Sequence, residues 1–414
     1  MRISCISQAL PVIKKMYSTL PQSYNRQISF QGDSFCRQNN DEQILDSAQR
    51  IEKAQKEALQ KLLEEMNNAR YSSLDDELYQ RANFQSRLDS IRSEYQKIDR
   101  MLSSSAEGSK AINYQIIADY FEAKNRMAKD KGFNRIQGYD SIKTKLSDKF
   151  CIDIMLNDRL EQTSFKQAQD VPDIVFFYGP TGTGKTTFAK ALGEESLSEL
   201  LEPDWVNAPN NDAKMELIED CARKAQEIYQ KSNGKKRSII LLNEADSLIK
   251  RPDPKSYKYE EQKRTIERFI NFAKNCSKNY KCTLFITTNE PLRVDERILS
   301  KEITPIKVGV GPCDKNTAKQ ILENCLAAHN VTIETDEIIN ELFKRPDRKY
   351  SNSNIVNIVE NIMMTTSTPT KEDFLELIND DEVPPSIQPR DMKKFMDAKQ
   401  ALYNLTDAEW KDLI

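Results

Sequence analysis

Histidine is almost absent from this chain, with one residue, His329, in 414. That leaves little material for a zinc site or for imidazole catalysis, and His329, in "LAAHN" near the end of a helical stretch, reads as a cap or surface residue. Eight cysteines, at 5, 36, 151, 221, 276, 282, 313 and 325, contain no CxxC pair. They read as reduced thiols, so the expected location is cytoplasmic. Long apolar runs are missing too: no stretch approaches the roughly 18 apolar residues that a membrane span needs. Nor is there an excess of charge. With 61 basic against 64 acidic residues the chain offers no overall electrostatic case for nucleic acid. The first 32 residues contain Arg2, Lys14, Lys15 and Arg26 and no acid, a trait of organelle transit peptides. Pro11 and the polar residues of "ISCISQALPVI" interrupt what would be a secretory core, and residues 1–40 are expected to be a disordered tail.

What is present is enough chain for two or three domains. Residues 41–132 predict a helical arm with coiled-coil-like character. Ile44, Ala48, Ile51, Ala58, Leu62 and Met66 recur at helical intervals, as do Leu78, Phe84, Leu88, Ile91, Tyr95, Ile98 and Leu102. The two stretches suit an antiparallel hairpin or a share in a coiled coil. Ser103–Ser109 reads as a flexible break, and a helix over Ile112–Lys131 leads onward. Residues 133–312 alternate apolar strands with amphipathic helices, the mark of an α/β domain. Strands are expected at Ile174–Tyr178, Trp205–Asn207, Ser238–Leu242, Thr283–Thr287 and Thr304–Val308, with helices at Lys185–Gly193, Ala213–Lys231 and Tyr259–Cys276. Residues 313–380 read as a small helical module, and 381–414 as a tail without a legible role.

The chemistry is concentrated in "IVFFYGPTGTGKTTFAK", Ile174–Lys190. An apolar strand, a glycine-rich turn and a helix match the P-loop pattern of glycine, four residues, glycine, lysine and a hydroxyl. Gly179, Gly182 and Gly184 free the backbone to aim N–H groups at phosphate oxygens. Lys185 would reach the β and γ phosphates, and Thr186 would put its hydroxyl on Mg2+. "RSIILLNEADSL", Arg237–Leu248, supplies a second strand ending in polar residues. Glu244 is placed to orient and deprotonate water. Asn243 stands where a carboxylate would otherwise hold the metal, and its uncharged amide predicts weaker Mg2+ retention. "TLFITTNEP" brings Asn289 to the carboxyl end of a further strand, where it can position the attacking water.

Together these residues resemble the AAA+ family of ATPases, in particular its AAA subgroup. "GPTGTGKT" is similar to Walker A, "IILLNE" to Walker B with one substitution, and "ITTN" to sensor 1. "RIQGYDSIKTKL", Arg135–Leu146, is similar to the stretch that opens such domains, and "RKYSNSNIVNIVENI", Arg348–Ile362, to the lid-helix segment. The resemblance covers about residues 133–370. It implies a parallel five-stranded sheet with a helical lid, preceded here by the helical arm. It implies ATP and Mg2+ as cofactors, with Gly179, Pro180, Thr181, Gly182, Thr183, Gly184, Lys185, Thr186 and Thr187 as nucleotide contacts and Ile136 and Gly138 beside adenine. Thr186 and Asn243 would serve the metal, and Lys185, Glu244 and Asn289 catalysis. The implied activity is ATP hydrolysis that remodels a macromolecule, usually in a homo-oligomeric ring; the arm is the expected site for a protein partner.

The pattern also departs from that family. In "VDERILSKEITPI", Val294–Ile306, the arginine-finger places hold Ser300 and Ile303, leaving Lys301 or Arg297 as imperfect substitutes. "WVNAPNNDAKM", Trp205–Met215, lacks the aromatic, aliphatic and glycine trio used to grip a threaded polypeptide. Two readings therefore stand side by side: an ATPase, and a nucleotide-binding interaction protein with little hydrolysis. A role in loading onto DNA is a third, weaker one.

Overall fold

The computed structural model describes residues 34–68, 74–163, 170–205, 208–344, 349–366, 368–380 and 383–403. Most of the tail expected over 1–40 lies outside them, as do Val206, Asn207, Arg348 and the chain after Tyr403.

The core is a parallel sheet of β1 (Ile174–Tyr178), β2 (Glu199–Leu201), β3 (Ser238–Leu242), β4 (Cys282–Thr288) and β5 (Ile306–Gly309). Its strand order is β2-β3-β4-β1-β5. Phe177 pairs with Thr287 on β4 and with Val308 on β5, so β1 is central and must be apolar on both faces. Side chains alternate across the strand. Val175 and Phe177 join one core with Ile239, Leu241 and Phe285, while Ile174, Phe176 and Tyr178 join another with Ile240, Leu242 and Ile286.

The sheet helices are α5 (Lys185–Glu195), α6 (Asn211–Lys231) and α7 (Tyr259–Ala273). The second strand departs from expectation: Trp205 is in no strand, and β2 precedes Pro203 instead. Glu and Leu have no strong strand preference, so pairing of Glu199–Leu201 with Ser238–Ile240 decided the matter. A helical module follows, α8 (Lys315–Ala328), α9 (Asp336–Leu342), α10 (Asn352–Thr365) and α11 (Lys371–Asn379), around a third core of Leu322, Ile338, Ile358 and Phe374. His329 is the C-cap of α8. Finally α12 (Pro389–Tyr403) returns to the sheet and buries Phe395, Ala398 and Leu402 in the second core.

At the front are α1 (Ser34–Asn68), α2 (Leu74–Ser103) and α3 (Lys110–Asn125), then α4 (Asp140–Leu146), which runs on as a π-helical stretch, Ser147–Leu156. Ile51, Ala54, Ile98, Met101, Ile117 and Phe121 belong to the same core as Val175 and Phe177, so the inner part of the arm packs on the α/β domain. Arg50 ties α1 to α3 through Glu122 at 2.7 Å and Asp119 at 2.6 Å. The break expected at Ser103–Ser109 is a bonded turn: Ser105 is buried and accepts from Asn113 Nδ2 at 2.9 Å. Serine hydroxyls can satisfy backbone groups locally, and that makes a serine-rich stretch a fixed corner here.

Candidate nucleotide-binding site

The P-loop begins where β1 ends. Val310 N–H donates to Tyr178 O at 2.8 Å, which brings the chain after β5 against Gly179. A Cβ on Gly179 would stand 2.1 Å from Val310 O, so only glycine fits. Gly182 and Gly184 have φ of 79° and 94°, the left-handed region that lets the following amides turn inward. Pro180 O accepts from Thr183 Oγ1 at 3.0 Å and from Lys185 Nζ at 2.7 Å. The buried Lys185 ammonium is pushed down to about 8 by desolvation, against the opposing pull of Glu244 and Asp246. Thr186 and Thr187 open α5, whose first N–H groups and positive dipole end favour an anion.

Next to it, the ends of β3 and β4 are joined by hydroxyls. Asn243 Oδ1 accepts from Thr186 Oγ1 at 2.5 Å and from Thr287 Oγ1 at 2.8 Å. Glu244 N–H donates to Thr287 Oγ1 at 2.9 Å, and Glu244 itself has φ of 52°. A non-glycine residue held there costs on the order of 1–3 kcal/mol of backbone strain, offset by the surrounding bonds. That strain leaves Glu244 exposed rather than folded into the strand end. Thr288 Oγ1 donates to Asp246 and accepts from Glu290 N–H at 3.0 Å, fixing the turn that carries Asn289. The oxygens of Thr186 and Asn243 suit a hard, oxygen-loving cation. Both are neutral, and no group of three or more His, Cys, Asp or Glu that could hold a metal occurs among the described residues. Mg2+ would thus be held by Thr186 and Asn243 together with the nucleotide's own phosphates, where it neutralises phosphate charge.

Opposite, the lid touches the loop. Asn352 at the start of α10 donates through Nδ2 to Thr183 O at 3.0 Å and to Tyr139 Oη at 3.2 Å, and Ser353 N–H donates to Gly182 O at 3.1 Å. Tyr139 Oη donates in turn to Gly311 O at 2.9 Å. Gly138, with φ of 63°, lies against Thr317 of α8 and donates its N–H to Gln320 Oε1 at 3.0 Å. Ile136 is half-buried beside it. The residues expected around adenine thus sit at the seam between sheet domain and lid.

This geometry, a P-loop on the central strand of a parallel sheet with two polar strand ends beside it, coincides with residues 175–311, which match the family model "ATPase family associated with various cellular activities (AAA)". This segment belongs to the AAA+ family of ATPases. The whole chain is 28% identical over 53% of its length to ATPase family gene 2 protein of Saccharomyces cerevisiae, of which it covers 27%. It is 25% identical over 55% of its length to spastin of Ixodes scapularis, covering 33% of that protein. It is 24% identical over 51% of its length to the outer mitochondrial transmembrane helix translocase of Danio rerio, covering 55% of it. The chain thus spans between about a quarter and just over half of these relatives. The solved FIGL-1 AAA domain in complex with ADP aligns at a TM-score of 0.49 and 16% identity, covering 66% of this chain and 90% of that one.

Thr287, in the "ITTN" motif, organises both Asn243 and Glu244, and Asn352, in the lid-helix segment, joins lid to loop; the motifs mark both stretches but not the bonds these two side chains make. Of the substitutes for an arginine finger, Arg297 is held within its own chain by Asp295, with Nε at 2.9 Å from Oδ1 and Nη2 at 3.0 Å from Oδ2. Ile303 is buried. Among the described residues no helix is long and apolar enough to cross a membrane.

Proposed function

We propose that this AAA+ chain binds ATP with Mg2+, hydrolyses it to ADP and phosphate, and uses the cycle to remodel a protein or complex. The carrying observation is the convergence of Lys185, Thr186, Asn243, Glu244 and Asn289 at the carboxyl ends of β1, β3 and β4, the edge at which open α/β sheets bind ligands. Lys185 and the loop amides hold the phosphates; Thr186 and Asn243 hold the metal shell; Glu244 takes a proton from water; Asn289 orients that water. Remodelling has support from the name of the zebrafish translocase relative. Assembly into a homo-oligomer fits the family, and the arm is the surface for a protein partner.

A second reading, nucleotide binding with negligible hydrolysis, is favoured by the uncharged Asn243 and by the engagement of Arg297 with Asp295. Phosphate release with ATP and Mg2+, compared with Glu244→Gln, separates the two. A general base contributes about 10²–10⁴ in rate, so the variant should keep nucleotide binding and lose at least about a hundredfold in turnover. Wild-type turnover that Glu244→Gln leaves unchanged would remove Glu244 from the chemistry.

A further inference from the structure

The near balance of charge over the whole chain hides a local excess. The stretch leading into β3, "KSNGKKRS" (Lys231–Ser238), and the stretch leading into β4, "KNCSKNYKC" (Lys274–Cys282), hold seven lysines and arginines and no acidic residue. β3 and β4 are neighbours with Ser238 opposite Cys282, so the two turns lie side by side at the amino ends of these strands. The nucleotide site is at the carboxyl ends. β3 is five residues long, a separation of roughly 15 Å along the strand, so an occupant of one edge leaves the other open.

The base beneath these cations is fixed. Arg237 is buried and clamps the two turns together: its Nε and Nη2 donate to Asp158 at 2.6 and 3.2 Å, and its Nη1 donates to Ser277 O in the second turn at 3.0 Å. Ser277 N–H donates to Asp173 Oδ1 at 2.8 Å, and Gly234 N–H to Tyr229 O at 2.9 Å. Lys281 Nζ stands 5.6 Å from the centre of the Tyr229 ring. Neighbouring carboxylates offset part of the charge: Glu227 lies 3.4 Å from Lys231, Glu199 2.5 Å from Lys236 and Asp170 3.7 Å from Lys278. Lys235, Lys274 and Lys281 pair with no carboxylate among the described residues. Lys235 and Lys274 are exposed, and so are the uncharged amides of Asn233, Asn275 and Asn279 between the cations.

We propose that this edge of the sheet binds the phosphate backbone of a nucleic acid without reading its sequence. Protein interfaces anchor on aromatic and aliphatic side chains and are poor in lysine. Here the exposed large apolar residues of the described chain, Tyr257, Leu292 and Met364 among them, all lie outside the two turns. Nucleic-acid interfaces are polar and strongly basic, and take phosphate contacts from amides and hydroxyls as well as from lysine. Base recognition commonly uses a free arginine fork, and the one arginine of these turns has its fork committed to Asp158 and Ser277. A rigid base that presents flexible lysines lowers the ordering cost of binding. The inference stands apart from the nucleotide-binding reading, since it uses the opposite edge of the sheet.

The test is fluorescence anisotropy of the full chain with a labelled mixed-sequence DNA duplex and a labelled single-stranded RNA, over a series of salt concentrations. Each phosphate contact to a duplex contributes about 0.9 to the slope of log affinity against log salt. Lys235→Glu combined with Lys274→Glu should therefore flatten the duplex slope by about two and weaken binding by about tenfold or more. Lys344→Glu combined with Lys371→Glu, the same charge change placed on the lid, should leave both unchanged. A wild-type chain that binds neither nucleic acid at low salt, or binding that the first pair leaves intact, would overturn the inference. So would tighter binding of a poly-glutamate peptide or of phosphatidylserine vesicles than of either nucleic acid, which would give the edge to an acidic protein or a membrane. Because Lys235 and Lys274 are exposed, the variant should melt with wild type. Where it does not, Lys235→Gln combined with Lys274→Gln carries the test, with the same flattening expected.

Discussion

At the scale of single residues, Lys185 carries a direct pH prediction. Its ammonium is buried and pushed down to about 8, below the usual 10.5. Between those values the folded chain holds fewer protons than the unfolded one, so the cost of burying this charge shrinks and stability rises with pH. Nucleotide binding runs the other way, because the phosphates favour the charged lysine. The association constant for ATP should therefore fall as pH rises above about 8, by up to tenfold per pH unit, with proton uptake on binding visible as buffer-dependent calorimetric heat. Lys185→Ala should bind weakly at every pH and lose that slope. Asn243 carries a second prediction. Its Oδ1 accepts from both Thr186 and Thr287, and a carboxylate would accept the same bonds. Asn243→Asp should keep the fold and lower the Mg2+ concentration for half-maximal turnover several-fold, read from magnesium titrations of phosphate release.

At the scale of elements, the seam between sheet domain and lid rests on two close contacts. Gly138 needs its left-handed backbone, and a Cβ there would stand 2.0 Å from Thr317 Oγ1 on α8. Gly138→Ala should destabilise the chain by roughly 1–3 kcal/mol, seen as a lower melting temperature. Adding Thr317→Ala should recover only the part due to the clash, since the backbone strain remains. Elements also mark how far the sequence could be read. β1 and β3 were legible because runs of five and four consecutive apolar residues, Ile174–Tyr178 and Ile239–Leu242, at the middle of a parallel sheet have no other comfortable place. The P-loop was legible because its glycines and lysine stand at fixed offsets. β2 was not, because Glu199–Leu201 is a short edge strand made by pairing rather than by its own preference. The role of α12 was equally hidden: Phe395, Ala398 and Leu402 look like any helical stripe until Tyr178 is placed beside them.

At the scale of the whole molecule, three buried cores share one seam at the phosphate loop. The arm enters the first core, α12 the second, and the lid forms the third. The arm reaches the far end of the P-loop helix, where Lys124 of α3 lies 3.4 Å from Glu195; just after the arm, Arg135 pairs with Glu194 at 2.7 Å. These ion pairs are half-buried, so they fix the carboxyl end of the helix whose amino end carries the phosphate loop. The proposed assembly of copies bears on the same site. With Arg297 engaged by its own Asp295, a neighbour that completes the site would have to compete for that fork or bring another cation.

The most direct measurement is ATP turnover per protomer against protein concentration at several Mg2+ levels, with Lys185→Ala as the blank. For an AAA+ ATPase that works as an assembly, turnover stands above the blank and rises with concentration before levelling. Nucleotide binding with no turnover above the blank, at any concentration or Mg2+ level, would contradict hydrolysis and leave the loop as a nucleotide-dependent switch.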